Sequence, residues 1–177
     1  DFNTPIWSRS LLKPFQLLLV LPVLKETYPA LKDEHFAVMM ASHQGDPEQV
    51  KLLQELLGIG EFSESDLQCS PCQPMAFQNK MDLPSSLYHP CAGKHLALLL
   101  YLKAQGHRMD QYLLPELVFY NDLKRLLRTL LKRSDSDDFY ETVDGCGMPN
   151  FALSDFELAR LYQLLILPLP QETLQQV

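Results

Sequence analysis

The sequence predicts a mainly α fold with at most a few short strands, and three observations carry that expectation. Leucines run almost without interruption from Ser10 to Lys25, helix-start signals recur along the chain, and residues 113–132 are strongly amphipathic. Residues 1–7 read as irregular, entering from a strand. A core helix then starts near Ser10, with Pro14 in its first turn, where the missing amide hydrogen costs nothing, and with a kink or interruption at Pro22. Asp33 caps a helix through about Met40. Asp46-Pro47-Glu48 opens another that runs to Leu57, before Gly58. Residues 61–90 read mostly as a loop, with prolines at 71, 74, 84 and 90. Residues 93–105 form an apolar helix that Gly106 ends, and Leu113 to Lys132 forms the amphipathic one, with Pro115 near its start. Ser134 to Asp138 is a polar turn and Phe139 to Val143 a short strand. Ser154 and Glu157 make a capping box for a helix through Leu165, before a tail with Pro168, Pro170 and several glutamines.

Composition excludes several classes. Hydrophobic residues make up 46% of the 177, enough for a globular core, and the net charge of -7 comes without a basic stripe, which argues against a nucleic-acid partner. Lys124, Arg125, Arg128, Lys132 and Arg133 suit a helix C-terminus and solvent better than a binding patch. The apolar run from Phe15 to Leu24 is too short and too interrupted to span a bilayer and lacks a signal-peptide cleavage site. The reading is a soluble, cytoplasmic protein with no membrane partner. Four cysteines could make two disulfides, but reduced thiols fit a chain of this length better, and Cys69-Ser70-Pro71-Cys72, with no second such pair, reads as loop cysteines. No internal repeat is evident. The chain does not begin with methionine, so it is expected to be a piece of something longer.

Four stretches can carry chemistry. In Ser10-Leu11-Leu12-Lys13 the lysine lies one turn beyond the serine, where a neutral amine can take the hydroxyl proton for attack on a carbonyl, although chance also produces this spacing. Ala41-Ser42-His43-Gln44-Gly45 ends a buried helix and is either a pocket wall or an ordinary terminus. Cys91-Ala92-Gly93-Lys94-His95 opens a helix with a thiol and an amine on one face; its plain alternative is a buried cysteine beside an exposed lysine. Asp144-Gly145-Cys146-Gly147 is a site built from backbone, its glycines permitting tight turns and close approach to amides.

In this order and at these spacings, the four stretches and the continuation Met148-Pro149-Asn150-Phe151-Ala152-Leu153 resemble the L-asparaginase II family of rhizobial type. The resemblance runs from about Trp7 to Leu165. It implies the helical portion of the α/β serine β-lactamase/glutaminase-like fold, a single domain over residues 1–177 that is incomplete at both ends, and hydrolysis of L-asparagine to L-aspartate and ammonia. Position by position, it makes Ser10 the nucleophile, Lys13 the base beside it and Ser42 a second active-site serine, served in the family by another lysine far along the chain. Cys91, Lys94 and Cys146 match three protein ligands of zinc, the implied cofactor. Asp144 lines the same site, with His43 and Gly145 as further candidates for binding substrate. The donor set is coherent, since thiolates suit zinc and a lysine amine can join them once it has lost its proton.

The chain departs from the family pattern at Pro90, Ala92 and Gln44, where asparagine, serine and serine are usual, and the family is considerably longer at both ends. The expected consequences are a thinned hydrogen-bonding surround, a missing second lysine and an exposed face near Ser10 and Ser154 that is covered by a homo-oligomer or by a missing C-terminal half. A small-molecule substrate, L-asparagine, remains the main partner expected. The competing reading is a truncated or degenerate relative that binds zinc or an amino acid, or acts as an interaction module, without turnover. A penicillin-interacting acyltransferase rests on Ser10 and Lys13 alone, with no later partner motif.

Overall fold

A computed structural model describes residues 1–75 and 83–166; the proline- and glutamine-containing tail and residues 76–82 of the long loop lie outside the described residues. The fold is mainly α with a few short strands, as the sequence predicts. Among the described residues no helix is long and apolar enough to cross a membrane. The chain divides into two compact units, Lys13–Leu113 and Asp1–Leu12 with Leu114–Val177.

The Lys13–Leu113 unit is helical. Helix α1 (Lys13–Thr27) follows directly on a 3-10 turn (Arg9–Leu12), holds Pro14 in its first turn and continues through Pro22, with Phe15, Leu17, Val20 and Leu24 buried. Helix α2 (Asp33–Met40) starts one residue earlier than a cap at Asp33 requires: Lys32 occupies the N-cap position, and its amide donates to His35 Nδ1 at 3.0 Å. The other nitrogen of that ring lies 3.0 Å from the Glu55 carboxylate. Helix α3 (Pro47–Gly60) begins as expected, with Asp46 accepting from the Gln49 amide at 2.9 Å, but it runs past Gly58. It stops where Glu61 turns left-handed, at φ 51°, and the Lys103 amine caps the Gly60 carbonyl at 2.9 Å.

Helix α4 (Ala92–Ala104) is the centre of this unit and packs against α1, α2 and α3. Every residue from Ala92 to Leu100 is buried, which explains a composition that is apolar on nearly all sides. Gly93 lets its first turn come close to α2. A Cβ there would lie 2.1 Å from the Val38 carbonyl oxygen, a backbone atom that cannot move aside. The loop ahead of α4 is held by its cysteines and serines: Cys72 and Ser85 exchange both backbone hydrogen bonds, and the Ser86 hydroxyl donates to the Cys69 carbonyl at 2.9 Å. All four cysteines of the chain are thiols, and burial pushes that of Cys72 up. Tyr112, fully buried, accepts from the Gln68 amide at 2.7 Å, and its hydroxyl oxygen lies 2.6 Å from His95 Nδ1.

The other unit holds a three-stranded antiparallel sheet in the order β1 (Pro5–Trp7), β3 (Pro149–Ser154), β2 (Glu141–Val143). Ile6 pairs with Leu153 and Thr142 with Asn150. All six residues of β3 are buried, between its neighbours and α6 (Asp155–Ile166). Helix α5 (Val118–Leu131) starts five residues later than its amphipathic pattern suggests; Pro115 disfavours helical backbone at Leu114, and Leu117, in non-helical backbone, is the N-cap residue. Its cations find partners within the unit. Lys124 reaches Glu141 at 2.8 Å, and Arg133, 4.6 Å from the centre of the Phe139 ring, reaches Glu157 at 2.7 Å. The Ser154–Glu157 capping box forms in both directions, at 2.8 and 3.3 Å. Burial raises the Glu157 carboxyl pKa, but the Ser154 amide and hydroxyl and the Arg133 guanidinium outweigh it and hold it below the usual carboxylate range. Phe2, Trp7, Leu11 and Phe156 are large apolar side chains left exposed on this unit.

The close approach at Gly93 gives a paired expectation. Gly93→Ala forces the α4 backbone off α2 and costs about 3 kcal/mol or more by the usual scale of overpacking. Gly58→Ala, with nothing within 4 Å of the added methyl group, stabilises α3 by roughly 0.5–1 kcal/mol. Urea denaturation of the two variants beside the parent checks both signs.

Candidate active site

The chemistry-bearing residues fall into one set in each unit. In the Lys13–Leu113 unit the set is built around the amine of Lys13, the first residue of α1, which is 1% exposed. It lies 3.0 Å from the Ala41 carbonyl oxygen, 3.0 Å from the Pro90 carbonyl oxygen and 2.9 Å from Ser42 Oγ. The start of α1, the end of α2 and the turn before α4 thus meet at one nitrogen. Ser42 itself is an exposed residue, so its hydroxyl joins the surface to a buried amine. The sequence separates these two residues by 29 positions, and only the packing of α1 against α2 brings them together.

His43, expected to bind substrate, is 2% exposed. Its Nδ1 accepts from the Gly45 amide at 3.2 Å, and Gly45 takes a left-handed φ of 76°, which closes the turn after Ser42. Nε2 is buried. Burial, and then the neighbouring Lys13 amine, lower the His43 pKa to about 4, outweighing a backbone hydrogen bond with His89 that raises it, so the ring is neutral at physiological pH. Cys91 is the half-buried N-cap residue of α4, and its amide donates to His89 Nδ1 at 3.0 Å. Lys94 follows in the first helical turn and is 4% exposed, contrary to the plain alternative of an exposed lysine. The substitutions at Pro90 and Ala92 are tolerated locally: Pro90 keeps the carbonyl that Lys13 uses, and Ala92 is fully buried.

In the other unit the set lies on the first turn and on the β2–β3 hairpin. Ser10 is exposed in the 3-10 turn, directly after Arg9, which has a φ of 48°, a strained value for a residue other than glycine. Asn150, fully buried on β3, holds that strain. Its Oδ1 accepts from the Arg9 amide at 3.0 Å, and its Nδ2 donates to the Arg9 carbonyl and to the Asp144 carboxylate, each at 3.1 Å. Asp144, Gly145 and Cys146 occupy the hairpin turn, where Gly147 has a φ of 87° and the Asp144 amide donates to the Met148 carbonyl at 2.9 Å. Cys146 is 4% exposed, whereas Gly145 is exposed, with nothing within 4 Å of where a Cβ would stand. Asn150 escaped the sequence reading as anything but part of a motif. Its signal, one asparagine amid an apolar strand, does not reveal that it grips a segment 141 residues away.

Among the described residues no group of three His, Cys, Asp and Glu side chains gathers as a metal centre. Of the expected donors Cys91, Lys94 and Cys146, only the two cysteines are of these types. By residue type the three suit zinc, since thiolates are soft donors and a lysine amine can join them once it has lost its proton; Cys91 is half-buried, Cys146 and Lys94 are buried, and Cys146 belongs to the other unit.

A serine hydroxyl beside a buried lysine amine is an arrangement that hydrolases working by acyl transfer use. The family model for L-asparaginase II matches residues 1–176, so the chain belongs to the L-asparaginase II family. It is therefore an asparaginase-like amidohydrolase by family, a class whose substrates are small molecules. No curated protein matches the chain.

Two consequences are measurable. Asn150→Ala removes three hydrogen bonds and orphans buried groups, costing roughly 1–3 kcal/mol of stability, readable as an earlier denaturation midpoint, with Asn150→Asp retaining part of it. His43 titrates near 6.5 unfolded and about 4 folded, so the unfolded chain binds more protons between those values. Stability contributed by the neutral ring is complete above about pH 6.5 and is lost, by roughly 3 kcal/mol, as pH falls towards 4. Denaturation midpoints measured from pH 7 to 4 should fall less steeply in His43→Gln than in the parent.

Proposed function

We propose that this chain hydrolyses L-asparagine to L-aspartate and ammonia, with Ser10 as nucleophile and Lys13 as the base that takes its hydroxyl proton. The observation that carries the reading is the Lys13 amine, buried from water and held by two backbone carbonyls and, at 2.9 Å, by the hydroxyl of Ser42; Ser10 takes its role from the family motif. Removal from water disfavours the charged amine, which is the condition for a lysine to act as a base near neutral pH. Family membership supplies the reaction class.

Ser10 Oγ bonds to the carbon of the side-chain amide as its proton passes to Lys13, the C–N bond breaks as the leaving nitrogen takes that proton and departs as ammonia, and water then hydrolyses the ester, its hydroxyl going to the acyl carbon and its other proton to the Ser10 oxygen. The backbone amides of the glycine-bearing hairpin at Gly145 and the Asp144 carboxylate bind substrate, as does the turn that His43 supports. Cys91, Lys94 and Cys146 are the residues that would hold zinc. When bound, zinc supplies a positive charge that polarises or positions the substrate.

The test is ammonia release from L-asparagine by the purified chain, with Ser10→Ala as the blank. Release that falls at least 100-fold in Ser10→Ala supports the reading. A folded chain that releases no ammonia, with or without added zinc, refutes it in favour of a binding or interaction module without turnover. Zinc content by elemental analysis is expected near one per chain and near zero in Cys91→Ser.

A further inference from the structure

We infer that Asn150 is a positioning residue that ties the turn carrying Ser10 to the Asp144 carboxylate at one fixed span, and that this span decides the length of side-chain amide the site accepts. The inference rests on the hydrolytic reading above and concerns only residues of the unit that holds the sheet.

Both ends of the span are backbone held in place. On one side Ser8, 1% exposed, donates its amide and its hydroxyl to the Phe151 carbonyl, at 3.1 and 2.7 Å, and the Leu11 amide donates to the Ser8 carbonyl at 3.0 Å, which closes the turn around Ser10. On the other, the Asp144 amide donates to the Met148 carbonyl at 2.9 Å and the Gly147 amide to the Asp144 carbonyl at 2.8 Å. Asn150 joins the two. It is fully buried and both its Nδ2 hydrogens are given, one to the Arg9 carbonyl and one to Asp144, while Oδ1 accepts from the Arg9 amide. Turned over, the amide would set its oxygen against a carbonyl and a carboxylate, which only accept, so a single orientation is allowed. Arg9 shows why a clamp is needed: its φ of 48° is strained for a residue other than glycine, and without Asn150 its backbone is free to relax and carry Ser10 with it.

An amino acid whose ammonium group sits on Asp144 presents its amide carbon to Ser10 across that span. A carboxylate has lone pairs for several hydrogen bonds, so the one it accepts from Asn150 leaves it able to take an ammonium group. In L-asparagine one methylene group separates the α-carbon from the amide carbon, and in L-glutamine two do. A span that could lengthen would accept both. One set by a planar amide with a single orientation lengthens only by breaking a buried hydrogen bond, so the longer substrate places its carbonyl off the path of Ser10.

The experiment compares kcat and KM for L-asparagine and L-glutamine, read as ammonia release, in the parent, Asn150→Ala and Asn150→Ser. Truncation should lower kcat on L-asparagine by about 100-fold with a smaller change in KM, and should narrow the asparagine-to-glutamine ratio of kcat/KM by about 10-fold or more. Equal losses on both substrates, no loss in a folded variant, or a parent that cleaves both amides equally well overturn the inference. A second measurement needs neither turnover nor a variant that folds. L-Aspartate, the product, titrated into the nitrogen-labelled parent should shift the NMR signals of the Asn150 side-chain amide and the Arg9 backbone amide together. A titration that moves neither signal, or moves the hairpin amides without Arg9, overturns the inference. If the parent releases ammonia from neither substrate, the proposed hydrolysis fails, and the titration alone decides whether Asn150 links the hairpin to the turn.

Discussion

The Lys13 amine is the constraint on which the Lys13–Leu113 unit depends. Three segments distant in sequence end on it: the start of α1, the end of α2 at Ala41 and Ser42, and the Pro90 carbonyl ahead of α4. A buried amine needs all of its hydrogen-bonding positions satisfied, so each segment is held at hydrogen-bond distance and none can drift without stranding a polar group in the core. Stability and the proposed chemistry therefore draw on the same nitrogen. The groups that make its burial tolerable are the groups that leave a serine hydroxyl beside it.

Packing around α4 makes that meeting possible. A helix buried along nearly its whole length must approach its neighbours closely, and Gly93 removes the one methyl group that would strike the α2 backbone. The approach falls between Cys91 and Lys94, so the turn that carries a thiol and an amine is pressed against the helix that delivers Ser42 and His43. Beyond it, Gly45 at a φ of 76° and the His43 ring close the turn, with a neutral imidazole where a charged one would be expensive. Proline at position 90 fits the same design, because what the site takes from that residue is its carbonyl oxygen.

The other unit uses a comparable device with different parts. Asn150 satisfies both backbone groups of Arg9 and reaches Asp144 with the same amide, so the strained residue before Ser10 and the carboxylate of the hairpin turn are set by one buried side chain. Strain at a backbone position is maintained only where the surroundings over-determine it, and a fully buried amide with three partners does that. The antiparallel pairing of β1 with β3 supplies the register that brings residues 9 and 150 face to face.

Much of this was legible in the sequence, because it depends on neighbours within a turn or two. Asp46 and Pro47 start α3, Ser154 and Glu157 cap α6, Gly106 ends α4, and the leucine runs are buried, each by a local rule of capping or periodicity. The ordered motifs placed the chain in the family whose model covers it. Where the sequence reading missed, a tertiary contact had overridden the local signal: α3 continues through Gly58 because its end is capped at Gly60 by Lys103 on another helix. The sequence by itself determined the helices, their order and the residue types available for chemistry. Only the tertiary structure decided that Lys13 sits on Ser42 and that Asn150 grips Arg9, since hydrogen bonds between groups 29 and 141 positions apart follow from how buried faces pack and leave no periodic trace in the chain.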